Sequence, residues 1–226
     1  DNLASIFQHK VYMQRRTFLA LLASLPVIGQ ASETLADLQA EAARRRLVFL
    51  ESLRQMALTQ PKAIYFNPAD PVIGRANARR TVLVFSDFNC PYCRKIDPIL
   101  QQVAKDWPEV RFVLKWQTMM SDSSALAASY ALRVWQAERG KYLQVQHALL
   151  RGSLPLTQNE IAAIGQKTQT QHLINGTTPP ALSASVSLGQ QLRVFATPSM
   201  LIGNQMMSGM TDAATLKATI MQWPMS

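Results

Sequence analysis

The sequence predicts an α/β fold that begins with a helix and has a helical subdomain inserted into its sheet. Three observations carry this reading. Thr81-Val82-Leu83-Val84-Phe85-Ser86 and Val110-Arg111-Phe112-Val113-Leu114-Lys115-Trp116 have the length and β-branched, aromatic content of buried strands, and a helical stretch joins them. Strand character returns at Ser199-Met200-Leu201-Ile202, only after a helical block covering about residues 121–192. Residues 33–59 contain neither Pro nor Gly and are rich in Leu, Ala, Arg and Glu, the composition of one long helix.

Arg15-Arg16 precede an apolar run from Thr17 to Ile28, and Gly29-Gln30-Ala31 puts small residues where a signal peptidase reads. The run is about 12 residues, too short for a bilayer, which needs roughly 20. Residues 1–31 therefore read as a cleaved export signal starting at Met13, with Asp1 to Tyr12 upstream of it. The arginine pair also resembles a twin-arginine signal. Either route leads out of the cytoplasm, here to the periplasm, where disulfides persist.

In the helix of residues 32–60, Leu35, Leu38, Ala42 and Phe49 share one face, with Leu47, Leu50 and Leu53 on a neighbouring one. Arg45 and Ser52 break the heptad, which argues against a long coiled coil. The helix can pack on its own domain or pair with its copy in another subunit, making residues 33–59 a candidate for homo-oligomerisation. Pro61 ends it. The domain proper then spans residues 61–226. Pro61, Pro68, Pro71 and Gly74 punctuate a linker-like stretch in which Ile64-Tyr65-Phe66 has the character of a short edge strand. The strand at 81–86, the helix from Pro91 to about Trp107 and the strand at 110–116 form a β-α-β unit, which implies parallel strands and a right-handed crossover. Helical segments are expected at Ser124–Trp135, Lys141–Leu150, Gln158–Lys167 and Pro180–Leu192. Gly203-Asn204 then turns the chain from the third strand into Gln205–Ser208, and a helix from Asp212 to Gln222 closes it.

The chain has 226 residues with 23 Lys and Arg against 14 Asp and Glu, a net charge of +9. Loss of the leader removes three basic residues and one acidic one, leaving +7. The basic residues are dispersed apart from Arg44-Arg45-Arg46 and Arg79-Arg80, with no aromatic-interleaved stripe. That pattern speaks against nucleic acid as a partner.

The chemistry concentrates in Phe88-Asn89-Cys90-Pro91-Tyr92-Cys93, which holds both cysteines of the chain. Residues i and i+3 of a helix share a face, so the two sulfurs fall within disulfide reach. Cys90 stands at the helix start, where unpaired N–H groups and the positive dipole end favour a thiolate. Pro91 suits the first turn because its missing N–H would have had no partner. Cys90 is then the exposed nucleophile and Cys93 the resolving thiol one turn deeper. A low Cys90 pKa makes its sulfur a good leaving group, which favours an oxidant or isomerase over a strong reductant. A purely structural disulfide across so short a loop would stabilise little. A zinc site needs four ligands, and outside the leader only His147 and His172 could join the cysteines. No metal or other cofactor is expected. The methionines at 119, 120, 200, 206, 207 and 210 read mainly as core, with some of the C-terminal group reaching the surface.

Phe85-Ser86-Asp87-Phe88-Asn89-Cys90-Pro91-Tyr92-Cys93, together with Thr197-Pro198-Ser199, resembles the DsbA-like thiol–disulfide oxidoreductases of bacterial envelopes. These are thioredoxin folds with a helical domain inserted between the halves of the sheet. The resemblance covers about residues 68–222. Glutaredoxins share the Cys-Pro-Tyr-Cys tetrapeptide but lack the insertion and the export signal. The resemblance implies catalytic Cys90 and Cys93, supported by Asp87, Pro91 and Tyr92. It further implies a cis Thr197–Pro198 peptide beside Cys90 that presents the Thr197 backbone to an extended substrate. Client proteins with cysteine thiols or disulfides and a membrane redox partner are the implied partners. Some members with an N-terminal helix oligomerise and isomerise disulfides. The alternatives to an exported oxidoreductase are therefore an isomerase or reductase kept reduced by a membrane partner, and a non-catalytic envelope binding protein with a structural disulfide. One departure is visible. Many members carry a buried acid six residues before the first cysteine, where this chain has Val84. Slower release of the Cys93 thiol is expected, with its proton passing to water or to Asp87.

Overall fold

The computed structural model describes residues 34–223, so the export signal read in residues 1–31 lies outside the described residues. The chain divides into two compact units, residues 1–46 and 47–226. In the first, the described part is the start of α1 (Leu35–Thr59). Thr34 and Asp37 cap it reciprocally: the Asp37 N–H donates to Thr34 Oγ1 at 3.2 Å and the Thr34 N–H to Asp37 Oδ2 at 3.1 Å. Leu35 and Leu38 are exposed there.

The second unit is built on a five-stranded sheet in the order β1-β3-β2-β4-β5. The strands are β1 (Val72–Gly74), β2 (Arg80–Ser86), β3 (Val110–Trp116), β4 (Ser199–Ile202) and β5 (Gln205–Ser208). β2 and β3 run parallel, joined by α3 (Pro91–Asp106), and every other pair is antiparallel. α3 continues unbroken past Pro98. The period-two alternation of strand side chains splits β2 between two cores. Val82 and Val84 face Ile96, Leu100 and Val103 of α3, in one cluster with residues of the inserted helices. Those helices are α4 (Asp122–Ala137), α5 (Tyr142–Leu150), α6 (Gln158–Thr168) and α7 (Pro180–Gln191). Leu216 and Ile220 of α8 (Ala213–Met221) join that cluster. Leu83 and Phe85 face the other way, onto Leu53 of α1, Ile64, Val113, Leu188 and Leu201.

Ile64-Tyr65-Phe66 does not form an edge strand. Residues Pro61–Tyr65 are a short helix, α2, with Pro61 in its first turn and the Phe66 N–H donating to Lys62 O at 3.2 Å. Its end is fixed by tertiary contacts: Ile64 is buried in the second cluster, and Arg111 Nη2 and Lys115 Nζ donate to the carbonyls of Tyr65 and Ala63 at 3.2 and 3.4 Å. The edge strand is β1 instead, held to β3 by a bond from the Leu114 N–H to Pro71 O at 2.8 Å. Behind it Lys115 and Asp70 form an ion pair with both side chains almost fully buried.

Candidate functional site

β2 ends at Ser86 against β3 on one side and β4 on the other, with Ser86 opposite Trp116 and Phe85 opposite Ser199. The chain then turns through Asp87, Phe88 and Asn89 into α3. The Cys90 N–H donates to Asp87 O at 3.1 Å, and Cys90 becomes the N-cap of α3 with extended backbone (φ −86°, ψ 118°). Its Sγ accepts from the Cys93 N–H at 3.4 Å, standing where a serine or aspartate oxygen usually caps a helix. Pro91 occupies the first turn, and Cys93 follows one turn in, 1% exposed. Both cysteines are free thiols in this structure, and the expectation of an exposed Cys90 is corrected: it is 2% exposed, with Thr197 packed against its sulfur.

The second wall of the site arrives from the far end of the insertion. The Thr197–Pro198 peptide is cis. The Cys90 thiol donates to Thr197 O at 3.1 Å, a contact between residues 107 apart in sequence. Pro198 O accepts the Gly209 N–H at 2.8 Å, tying this loop to the end of β5. Cys90, Pro91, Tyr92 and Thr197 share the lining of a surface depression of about 270 Å³ with Met119, Met120, Phe195 and Ala196. Tyr92 and Phe195 are 54% and 83% exposed. The expectation that methionines 119 and 120 fill the core is corrected. They are 46% and 49% exposed at the rim of this depression, because their backbone is pinned from below. Met200 is buried, Met206 and Met207 are half-buried, and Met210 is exposed.

The two thiols are pulled apart in acidity. A hydrogen bond from the Cys93 thiol lowers the Cys90 pKa to about 5 against the opposing effect of burial, assisted by Thr197 and the backbone N–H groups of Cys93 and Tyr92. The Thr197 hydroxyl oxygen is buried and otherwise unpartnered, so its proton is available to a thiolate. Burial, reinforced by the bond to Cys90, pushes the Cys93 thiol far above its usual range. One sulfur is thus poised to attack and to leave as an anion, while its neighbour keeps its proton.

Val84, six residues before Cys90, is fully buried among apolar side chains and brings no acid under the sulfurs. Asp87 is buried too, but its carboxylate faces away from them. Oδ1 accepts from the Asn89 N–H at 2.9 Å and Ser124 Oγ at 2.7 Å, and Oδ2 from the Met119 and Met120 N–H groups at 2.8 and 3.1 Å. Only its backbone N–H reaches Cys93 Sγ, at 3.5 Å. With its oxygens taken up by four donors, Asp87 ties the cysteine loop to the start of the insertion.

Two residues that sequence reasoning missed complete this framework. Asn89 Nδ2 donates to the hydroxyls of Ser121, Ser123 and Ser124 at 2.7 to 3.0 Å, and its Oδ1 accepts the Leu156 N–H at 2.7 Å. Arg94 Nε donates to Phe88 O at 3.1 Å while its Nη atoms hold the carbonyls of Gly152 and Ser153 after α5. The dense run Ser121-Asp122-Ser123-Ser124 was the visible signal, since hydroxyls so grouped at a helix start need partners.

A thioredoxin family model matches residues 67–222. The chain belongs to the thioredoxin family. Among its relatives, this thioredoxin-family chain is 25% identical over 167 residues to disulfide bond formation protein D of Bacillus subtilis (strain 168), covering 66% of this chain and 75% of that protein. Among solved structures it is similar to the catalytic domain of Proteus mirabilis ScsC, with 26% identity and a TM-score of 0.70 over 75% of this chain and 97% of that one. It is also similar to a periplasmic thioredoxin-like protein from Salmonella enterica serovar Typhimurium, with 27% identity and a TM-score of 0.65 over 71% and 93% of the two chains. The fold is thioredoxin-like, with the helical insertion between β3 and β4. Among the described residues no helix is long and apolar enough to cross a membrane, and no three His, Cys, Asp or Glu side chains are grouped to hold a metal.

Proposed function

We propose that this thioredoxin-family protein is an exported, periplasmic thiol–disulfide oxidoreductase that exchanges its Cys90–Cys93 disulfide with the cysteines of client proteins. The observation that carries the reading is the Cys90 sulfur. It caps α3, touches Thr197 O at 3.1 Å and ionises at about pH 5, at the edge of an apolar depression. In the oxidised protein a client thiolate attacks Cys90 Sγ, forming a mixed disulfide and releasing Cys93 as a thiolate that takes up a proton. A second client thiolate attacks the client sulfur of that bond. The client leaves with a new disulfide, and Cys90 leaves as a stabilised thiolate. Two electrons pass to the protein. Thr197 presents its backbone to the extended client segment flanking the attacked cysteine. Tyr92, Met119, Met120 and Phe195 give that segment an adaptable apolar seat without sequence demands. Disulfide bond formation in the name of the Bacillus relative and a periplasmic address in that of the Salmonella relative support this reading.

A second reading, an isomerase or reductase kept reduced by a membrane partner, draws on α1. Leu35, Leu38, Leu47 and Val48 are exposed along it. Self-association through residues 33–59 would bring several Cys90 sites together. Sedimentation of the full chain against one lacking residues 33–46 tests that association.

The central test is trapping. Cys93→Ala protein, unable to resolve its intermediate, should accumulate mixed disulfides with envelope proteins through Cys90, and Cys90→Ala should not. Failure of Cys93→Ala to trap any client would leave the binding-protein alternative standing in place of catalysis.

A further inference from the structure

A pocket of about 380 Å³ opens at the opposite end of β2 from the cysteines. It lies about 20 Å from Ser86 at roughly 3.3 Å of strand per residue. Its size falls within the range of small-molecule sites, roughly 300–1,000 Å³. Phe66, Val82, Ile202, Ile220 and Trp223 give it apolar walls, and Arg79 and Arg80 stand at its edge with no acidic residue among the described residues of the lining.

Arg80 lies 5.6 Å from the Trp107 ring centroid, and among the described residues the charge there has no acidic partner. Arg80 Nη1 donates only to the carbonyls of Ile220 and Trp223. Arg111 lies behind Phe66, 4.7 Å from its ring centroid, and donates to Thr81 Oγ1 and to the carbonyls of Ala76 and Tyr65. Among the described residues none of these three arginines has a carboxylate partner. Arg80 Nε and Trp223 Nε1, on two of the lining residues, are buried and unpartnered among the described residues. An apolar cavity with two arginines in its lining has the composition of a binding site rather than of a packing defect.

We propose that this pocket binds a small amphipathic monocarboxylate, its hydrocarbon part against Phe66, Val82 and Ile202 and its carboxylate at Arg79 and Arg80. A guanidinium suits a carboxylate better than a neutral head group does, because both of its donors can be used at once. The site is separate from the cysteine centre and does not depend on the exchange activity.

Octanoate is the test probe, with 1-octanol as its uncharged counterpart, titrated into the full chain and followed by calorimetry and tryptophan fluorescence. Octanoate should bind saturably at one site, about tenfold or more tighter than octanol, as loss of a charge-assisted bond implies. Arg79→Gln should weaken octanoate by a similar factor, and Arg80→Lys less than Arg80→Gln. Because Arg80 also holds the end of α8, circular dichroism establishes that each variant is folded; the exposed Arg79 and the octanol comparison decide the matter if Arg80→Gln is not. Alkylation of Cys90 should be unaffected by saturating octanoate. Equal affinity for octanol, wild-type affinity in folded Arg79→Gln, absence of saturable binding, or protection of Cys90 would each overturn the assignment.

Discussion

Replacing Cys93 with alanine removes the group that contributes most to holding Cys90 ionised, a hydrogen bond from the Cys93 thiol. A hydrogen bond to a charged group is worth about 1.5–3 kcal/mol. At 1.36 kcal/mol per unit of pKa, its loss raises the Cys90 pKa by about one to two units. From about 5 in the intact protein, the midpoint should move to about 6–7 in the variant. At pH 6 the thiolate fraction then falls from about nine-tenths to between a tenth and a half. Cys93→Ser retains a donor at the same place and should stay near the wild-type midpoint. Each variant has a single thiol, so the pH dependence of alkylation by iodoacetamide reads Cys90 alone. An alanine variant that titrates with the wild type, or a wild-type midpoint in the range of an ordinary free cysteine, would refute the assignment of the low pKa to the pair of sulfurs.

The same acidity gives a stability prediction. The folded-state pKa of Cys90 lies below its ordinary value of 9.0. Its contribution to the reduced form is therefore complete above that value and lost as pH falls through about 5. Denaturant midpoints of the reduced and oxidised proteins, measured at pH 5 and pH 8, should show the reduced form gaining on the oxidised form at the higher pH. Asp87→Ala strands buried N–H and hydroxyl donors at Asn89, Met119, Met120 and Ser124, and should cost about 1–3 kcal/mol. Hydrogen exchange should then show the Met119 and Met120 amides losing protection while those of β2 and β3 keep theirs. Asp70→Ala leaves the Lys115 ammonium buried without its partner and should destabilise by about 3–5 kcal/mol in urea unfolding. Adding Lys115→Met to that variant should restore most of the loss.

The parts of the fold that could be read from the chain are those whose signal is local. β2, α3 and β3 are set by apolar runs and by Pro91 in a first helical turn; β4, the Gly203-Asn204 turn and β5 by one short pattern. The misread segment was decided elsewhere. Ile64-Tyr65-Phe66 has strand composition, but the Tyr65 carbonyl and that of the preceding Ala63 are claimed by Arg111 and Lys115 of β3, which favours a helical end over a ladder. β1 has only three residues and owes its existence to pairing with β3. At the site, Cys90, Cys93 and Pro91 announce themselves by spacing. Asn89 and Arg94 do not, because apart from Phe88 their side-chain partners lie 32 to 67 residues away in the insertion. Nor does composition reveal that Met119 and Met120 face solvent, since what holds them there is the carboxylate of Asp87.

The carbonyl that meets the Cys90 thiol belongs to a residue 107 positions further along the chain, and the whole helical insertion lies between them. A ribosome releases both sulfurs long before it releases Thr197. A chain cut off anywhere ahead of β4 would carry the entire Cys-Pro-Tyr-Cys motif with one side of its cleft unbuilt and the central strand β2 lacking a neighbour. Unfinished copies of this protein would thus carry both sulfurs without the Thr197 wall of their cleft, which arrives only near the end of synthesis.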